Sequence, residues 1–214
     1  MEPRKGVPRV VAVLAGLLER AAERGDGEAG ASASSAFRGR TRPGIAVRRY
    51  AERIYWYAGC RPACFVVAYV YLDRLARRRD DEEEAGAAVV GVDSYSVHRL
   101  LITSVMVAAK FMDDIHYNNA YFARVGGVEV AEMNGLELEL LFALRFRLNV
   151  TPDTFARYCA ALEGEMMMLA PPADPVPLLA SPPEKEHRDQ QDAAASRAFT
   201  APPPQRAIVV DIVQ

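Results

Sequence analysis

The chain has 214 residues and a mass of 23.5 kDa, a length that suits one ordinary domain with extensions better than two compact domains. Half of its residues are hydrophobic and a quarter are charged, which is typical of a globular protein rather than of a disordered or membrane chain. Its 26 basic and 28 acidic side chains give a net charge of -2, so no overall positive field attracts nucleic acid or acidic lipid. We therefore expect neither a nucleic acid nor a membrane as a partner.

The first apolar run, Val10 to Leu18, is a poor signal peptide because charged residues follow it at once and the first Ala-x-Ala lies far downstream. Three cysteines, Cys60, Cys64 and Cys159, form an odd set without a dense framework, which indicates reduced thiols. We expect the protein in the nucleus and/or the cytoplasm.

Apolar residues at helical spacing predict an amphipathic helix from about Pro8 to Arg24 that ends near Gly25. From Gly25 to Gly44 the sequence is small, polar and glycine-rich, which is typical of a mobile connector. We interpret the three arginines near its end as part of a solvated linker rather than as a nucleic-acid arm; they are Arg38, Arg40 and Arg42.

The helical pattern resumes at Ile45 and should end at Gly59, while Pro62 is well placed to begin the next helix. That next helix is apolar nearly all round until Asp73, which predicts a helix enclosed by others. A carboxylate at the end of such a buried face more often pairs with an arginine of a neighbouring helix than acts in catalysis. The acid run that follows, residues 80–84, is interpreted as solvent-facing.

Four further helices are expected on the basis of periodicity and caps. One contains the stretch LLITSVMVAAKFMDD, residues 100–114, and the next is short, with Asn118 and Asn119 as caps. The third runs from about residue 129 to 146, and the fourth begins at Thr151-Pro152. Beyond residue 169 proline and polar residues are too frequent for a packed core, and Ser181 in this tail is a weak phosphorylation candidate. The sequence reads as all-α.

Enzymatic signals are weak. The stretch DDIH, residues 113–116, has metal-binding residue types near a helix end, but no second carboxylate cluster completes a site. No phosphate-binding loop is present, and His98 and His116 are each more simply polar residues at helix edges. We expect no catalytic residue, metal or cofactor.

Lys110 is the one charged residue within the apolar stretch of residues 100–112. Its aliphatic stem should lie along Met106 and Val107, with the amine at the rim of the core, because an unpaired buried ammonium costs several kcal/mol. Two interpretations stay open at this point. The amine forms an ion pair with Asp113 or Asp114 at the same helix end, or it contacts a partner.

Four stretches of the sequence resemble a known family: RPGIAVRRYAERIYWYAGC, PACFVVAYVYLDRL, VHRLLITSVMVAAKFMDDIHYNNAYFARVGGV and EMNGLELELLFALRFRLNVTPDTFARY. In this order they are similar to the cyclin box of plant P-type cyclins, also called U-type, which are related to the phosphate-regulon cyclins of fungi. The resemblance covers about Arg42 to Met166, and PRVVAVLAGLLERAAER resembles the helix that precedes the box. It implies a single five-helix cyclin box with an extra N-terminal helix and a disordered C-terminal tail. We place the helix and flexible linker at residues 1–41, the box with its following helix at 42–168 and the tail at 169–214.

The resemblance implies a regulatory subunit that binds and activates a cyclin-dependent serine/threonine kinase, expected to be an A-type plant kinase. By this resemblance Lys110 and Glu137 form a charged anchor for the kinase. Apolar contacts to the kinase are implied for three residues, Val107, Phe111 and Leu141. Asp73 matches an acid that pairs with an arginine of the first box helix, here Arg49 or Arg53.

Two family features are missing from the sequence. The first box helix, AVRRYAERI, lacks the hydrophobic patch with which some cyclins dock substrates, and no destruction box is recognisable. The alternative interpretation is a cyclin-fold adaptor or transcription-related scaffold that does not activate a kinase, because one fold serves several functions.

Overall fold

The computed structural model describes residues 6–27, 35–81, 91–114 and 116–169. The described residues form α-helices and no strand, which confirms the all-α prediction. The expected tail, including Ser181, lies outside the described residues, as does most of the acid run. The helices are α1 (Arg9–Gly27), α2 (Val47–Ala58), α3 (Pro62–Asp81), α4 (Val97–Met112), α5 (Asn119–Gly126), α6 (Val130–Ala143) and α7 (Pro152–Leu169). None of these helices is long and apolar enough to span a bilayer.

The core is built around α4. Every residue from Leu100 to Ala109 is buried, so this helix has apolar or small side chains against neighbours on all sides. It packs against α1, α2, α3, α5 and α6. The enclosed helix predicted before Asp73 is α3, which packs most extensively against α4. Lys110 is the first residue of the α4 C-terminal end that leaves this core.

The apolar stripe of α1 packs into the same core, with Leu14 and Ala15 fully buried against α2 and α3. The helix also contacts α7, where Arg20 forms an ion pair with Glu165 at 2.7 Å. Helix α1 ends at Gly27, two residues after the glycine near which its end was predicted. A side chain at Gly25 would collide with the backbone carbonyl of Val92, so this glycine permits a close approach rather than ending the helix.

The ends of α2 and α5 follow the predicted signals. Gly59 ends α2 with φ 64°, and Gly127 follows α5 with φ 72°, a left-handed conformation that glycine adopts without steric cost. Asn118 caps α5, since its side chain accepts a hydrogen bond of 3.0 Å from the backbone N–H of Tyr121.

The segment of residues 35–46 is packed against the helices, so the prediction of a mobile connector is wrong for this part, although its three arginines are exposed as expected. Phe37 is fully buried, and Arg38 forms an ion pair with Asp93. The backbone N–H of Gly39 donates to the carbonyl of Tyr95 at 2.9 Å. The single aromatic side chain of the segment enters the core, and the polar groups beside it bind to residues just before α4. Residues 28–34 lie outside the described residues.

Truncation of Phe37 tests this packing. We expect Phe37→Ala to lower the free energy of unfolding by about 3–5 kcal/mol, because it removes a fully buried ring and leaves a cavity. Urea denaturation followed by circular dichroism measures the loss. The matched control is Phe142→Ala, since Phe142 is 65% exposed and its truncation should change stability by no more than about 0.5 kcal/mol. Equal effects at the two positions would contradict a packed segment.

Candidate functional site

Lys110 lies in the last turn of α4, and its amine forms an ion pair with Glu137 of α6 at 2.7 Å. Its side chain is 26% exposed and that of Glu137 is 19% exposed, so the pair lies at the rim of the core as predicted for the amine. The alternative ion pair with Asp113 or Asp114 is wrong. Asp113 pairs instead with Arg61, whose Nε donates to it at 2.6 Å.

The packing of α4 on α6 brings this pair together across 27 residues of sequence. Leu136 and Leu140 are buried on the face of α6 that meets the core, and Glu137 lies at the edge of that face. The lysine amine carries three N–H groups, and only the bond to Glu137 is found among the described residues. The remaining N–H groups are available to acceptors of a partner.

Asn119 is the residue of this site that the sequence did not reveal. Its Nδ2 donates to Oε2 of Glu137 at 2.6 Å and to Asn134 at 2.8 Å. Glu137 therefore accepts a hydrogen bond on each carboxylate oxygen and is held in one orientation. Sequence reasoning assigned Asn119 to a helix cap, and no local pattern could have linked it to a residue 18 positions away.

The three apolar residues implied by the resemblance differ in exposure. Val107 is 3% exposed and belongs to the core, Leu141 is partly buried, and Phe111 is 51% exposed. Contact of these residues with a partner stays a prediction. Further apolar side chains of this region are more than half exposed, namely Leu138, Phe142 and Phe146.

We define the α4–α6 surface as the ion pair together with exposed or partly buried apolar residues at the end of α4, on α6 and in the turn that follows α6. Leu141 lies one helical turn after Glu137, and Phe142 lies one turn after Leu138, so two adjacent rows run along α6. Exposed apolar patches of this kind, with aromatic residues and a charged pair, are typical of protein–protein interfaces. The members are Lys110, Phe111, Glu137, Leu138, Leu141, Phe142 and Phe146.

An unusual backbone turn positions Phe146. Helix α6 ends at Ala143 rather than at residue 146 as predicted, because Arg145 and Phe146 adopt left-handed conformations with φ 50° and 56°. Such conformations cost roughly 1–3 kcal/mol each for residues other than glycine. The turn places the Phe146 ring edge-on to that of Phe142, with centroids 5.3 Å apart. The turn thus brings two aromatic side chains into contact at an exposed position.

The predicted ion pair of Asp73 with Arg49 or Arg53 is wrong. Asp73 lies on the side of α3 that faces α7, where it accepts a hydrogen bond from the hydroxyl of Tyr158. It also pairs with Arg77, one turn later on α3, at 2.6 Å. A periodic pattern identifies the buried face of α3, but it does not say which neighbour covers the end of that face.

The residue types that could bind a metal, in the stretch of residues 113–116 and at the cysteines, are either exposed or engaged in other contacts. His116 is exposed, whereas Asp113 is paired with Arg61 and accepts a hydrogen bond from the thiol of Cys64. Burial raises the pKa of Cys60 and of Cys64 to about 12, so both thiols stay protonated near neutral pH. Within the described ranges no three residues among histidine, cysteine, aspartate and glutamate are grouped to hold a metal ion.

Comparison with known proteins gives a consistent family. The family model described as Cyclin matches residues 9–148, from the start of α1 to just before α7. Cyclin-P4-1 of Oryza sativa subsp. japonica is 52% identical over 200 residues, which cover 90% of this chain and 89% of the relative. Cyclin-U4-1 of Arabidopsis thaliana is 51% identical over 76% of this chain and 79% of its own length. Cyclin-U4-3 of the same plant is 46% identical over 76% of this chain and 71% of its own length.

A double-mutant cycle of Lys110→Met and Glu137→Gln tests how much the pair stabilises the free protein. We expect a coupling free energy of roughly 0.2–1 kcal/mol in urea denaturation, because both side chains are in contact with water. A coupling of about 3 kcal/mol or more would instead identify a pair required for folding.

Proposed function

Because this chain belongs to the cyclin family, we propose that it is a non-catalytic regulatory subunit that binds and activates a cyclin-dependent serine/threonine kinase in cell-cycle or cell-division control. Cyclins are regulatory proteins and in general not enzymes. The observation that carries the proposal is the Lys110–Glu137 ion pair of the α4–α6 surface. The predicted five-helix cyclin box corresponds to α2 through α6, with α1 before it and α7 after it.

The ion pair is suited to anchor a partner because it is already formed in the free protein. Glu137 fixes the amine of Lys110, and Asn119 fixes Glu137 in turn. A partner that binds here does not have to order a long lysine side chain, which reduces the entropic cost of association. The free N–H groups of the amine can donate to backbone carbonyls of the kinase, and such charge-assisted bonds mainly give specificity.

The exposed apolar residues of the α4–α6 surface supply the contact area that affinity requires. Phe111, Phe142 and Phe146 are each more than half exposed, and aromatic side chains are frequent among the residues that dominate binding energy. Two of these rings are in contact with each other at the end of α6, so they offer an ordered apolar surface on which a partner element can settle. A mobile helix of a kinase, held inward by such a surface, meets this description.

Activation follows from preference for one kinase conformation. A subunit that binds the active arrangement more tightly shifts the kinase population towards it. In that arrangement the lysine–glutamate pair of the kinase forms and positions ATP. We propose an A-type plant kinase as the catalytic partner and the nucleus and/or the cytoplasm as the location.

Swapping the charges of Lys110 and Glu137 distinguishes a role of this pair in kinase binding from a role in the stability of the free protein. We expect Lys110→Glu and Glu137→Lys, each alone, to weaken binding of a purified A-type kinase by about tenfold or more, since a charge-assisted bond contributes about 1.5–3 kcal/mol. The double variant restores the internal ion pair with reversed charges, so its stability should recover while its kinase binding should not. Isothermal titration calorimetry measures the affinity, and circular dichroism verifies the helical content.

The matched control exchanges Arg48 and Glu52, an ion pair of 3.6 Å on α2 that is outside the α4–α6 surface. Its exchange should leave kinase affinity unchanged. Recovery of kinase binding in the Lys110→Glu/Glu137→Lys variant would assign the pair a purely structural role. Failure of the unmodified protein to bind any A-type kinase would favour the adaptor interpretation.

A further inference from the structure

A second candidate binding site lies at the N-terminal end of α4, and none of its residues belongs to the α4–α6 surface. It is a groove of about 690 Å³ between the segment of residues 38–45, α2, the start of α4 and the turn that follows α5. We call it the arginine groove. Four arginines line it, contributed by three separate elements: Arg38, Arg40, Arg53 and Arg99.

The arginine groove keeps an excess of positive charge. Glu132 is the only carboxylate in its lining and pairs with Arg99 at 2.5 Å, while Asp93 behind the wall pairs with Arg38. Four positive charges therefore face two negative ones. Among the described residues neither Arg40 nor Arg53 forms an ion pair with a carboxylate. Arg53 instead donates a hydrogen bond to the backbone carbonyl of Arg124.

The packing of residues 38–45 builds this arrangement. The guanidinium of Arg99 lies against the backbone of Gly39, and a larger residue at position 39 would displace it from its place in the wall. The ring of His98 is 7% exposed and donates from Nε2 to the carbonyl of Ile45 at 2.8 Å. Its other ring nitrogen, Nδ1, is buried without a hydrogen-bond partner, which is uncommon for a native polar atom.

We propose that the arginine groove is a docking site for a phosphorylated serine or threonine of a partner protein. A phosphoserine carries a charge of about -1.5 to -2 at neutral pH, which matches the two unneutralised guanidinium groups. Guanidinium groups bind phosphate through paired N–H donors, and Arg40 and Arg53 line the groove from two different elements, the segment of residues 38–45 and α2. The phosphoryl group enters between them, with the flanking peptide along residues 38–45.

The shape of the groove favours a single phosphorylated side chain over a nucleic acid. Nucleic-acid binding requires a basic stripe or face that follows successive phosphates. Here the positive charge is concentrated in one concave site of a chain whose net charge is -2. A free phosphate ion would fill only a small part of 690 Å³, and the remaining volume suits peptide residues on either side.

This binding does not rest on the proposed kinase partner. The biological role of the binding does rest on the proposed function. With a kinase on the α4–α6 surface, the groove would recruit proteins that already carry a phosphate. Peptide binding is therefore measured on the full chain without kinase. Its failure leaves the proposed function untouched, and failure of kinase binding leaves the peptide result intact.

The test uses an oriented peptide library with a central phosphoserine and the same library with serine. We expect fluorescence anisotropy to detect binding of the phosphorylated library alone. Arg40→Ala and Arg53→Ala should each weaken it by about tenfold, because each removes a charge-assisted bond of about 1.5–3 kcal/mol. In nuclear magnetic resonance, binding should raise the pKa of His98, whose pKa is lowered in the free protein, mainly by burial.

Arg49→Ala is the matched control, because Arg49 is an exposed arginine of α2 that does not line the groove. It should leave peptide affinity unchanged, and an equal loss in this variant would overturn the proposal in favour of diffuse charge attraction. Equal affinity for inorganic phosphate and for the phosphorylated library would also overturn it, since the peptide would then contribute nothing. The proposal would also be overturned if a 20-nucleotide RNA bound through Arg40 and Arg53 more tightly than the phosphorylated library does.

Discussion

The burial of α4 on all sides is the constraint on which the rest of this structure depends. A helix without a solvent face is stable only when others surround it, and α1, α2, α3, α5 and α6 do so. Charged groups are then excluded from its middle, because an unpaired charge in the core costs several kcal/mol. Lys110 and Arg99, the two charged residues nearest the ends, therefore mark where α4 meets the surface.

The two ends of α4 differ in the chemistry that they present. At the C-terminal end Lys110 is paired with Glu137 and followed by the exposed Phe111, and α6 adds further exposed apolar side chains, which suits a large apolar partner. At the N-terminal end arginines outnumber carboxylates around a concave groove. His98 and Lys110 are about 18 Å apart along the helix axis at 1.5 Å per residue. One rigid helix thus separates two surfaces that different partners could occupy together.

Both surfaces depend on backbone that departs from regular helix. The left-handed turn at Arg145 and Phe146 is strained, yet it sets two phenylalanine rings in contact at an exposed position. At the groove, Phe37 fastens an otherwise polar segment to the core, and Gly39 leaves space for the guanidinium of Arg99. Strain and close approach persist here because the surrounding helices are tightly packed.

The sequence by itself determined that the described elements are helices, where most of these helices end, and that Lys110 lies at the rim of the core, while Glu137 was singled out only by the family resemblance. Helix periodicity and caps such as Asn118 and Gly59 are local, so they are readable without knowledge of the fold. The tertiary structure decided which side chains pair with each other. Lys110 pairs with Glu137 rather than with Asp113. Asp73 contacts Arg77 and Tyr158 rather than Arg49 or Arg53. It also decided that Phe37 is core, that α6 ends at Ala143 and that Asn119 supports Glu137. The physical reason is distance along the chain, because contacts between residues tens of positions apart arise only once the helices have packed.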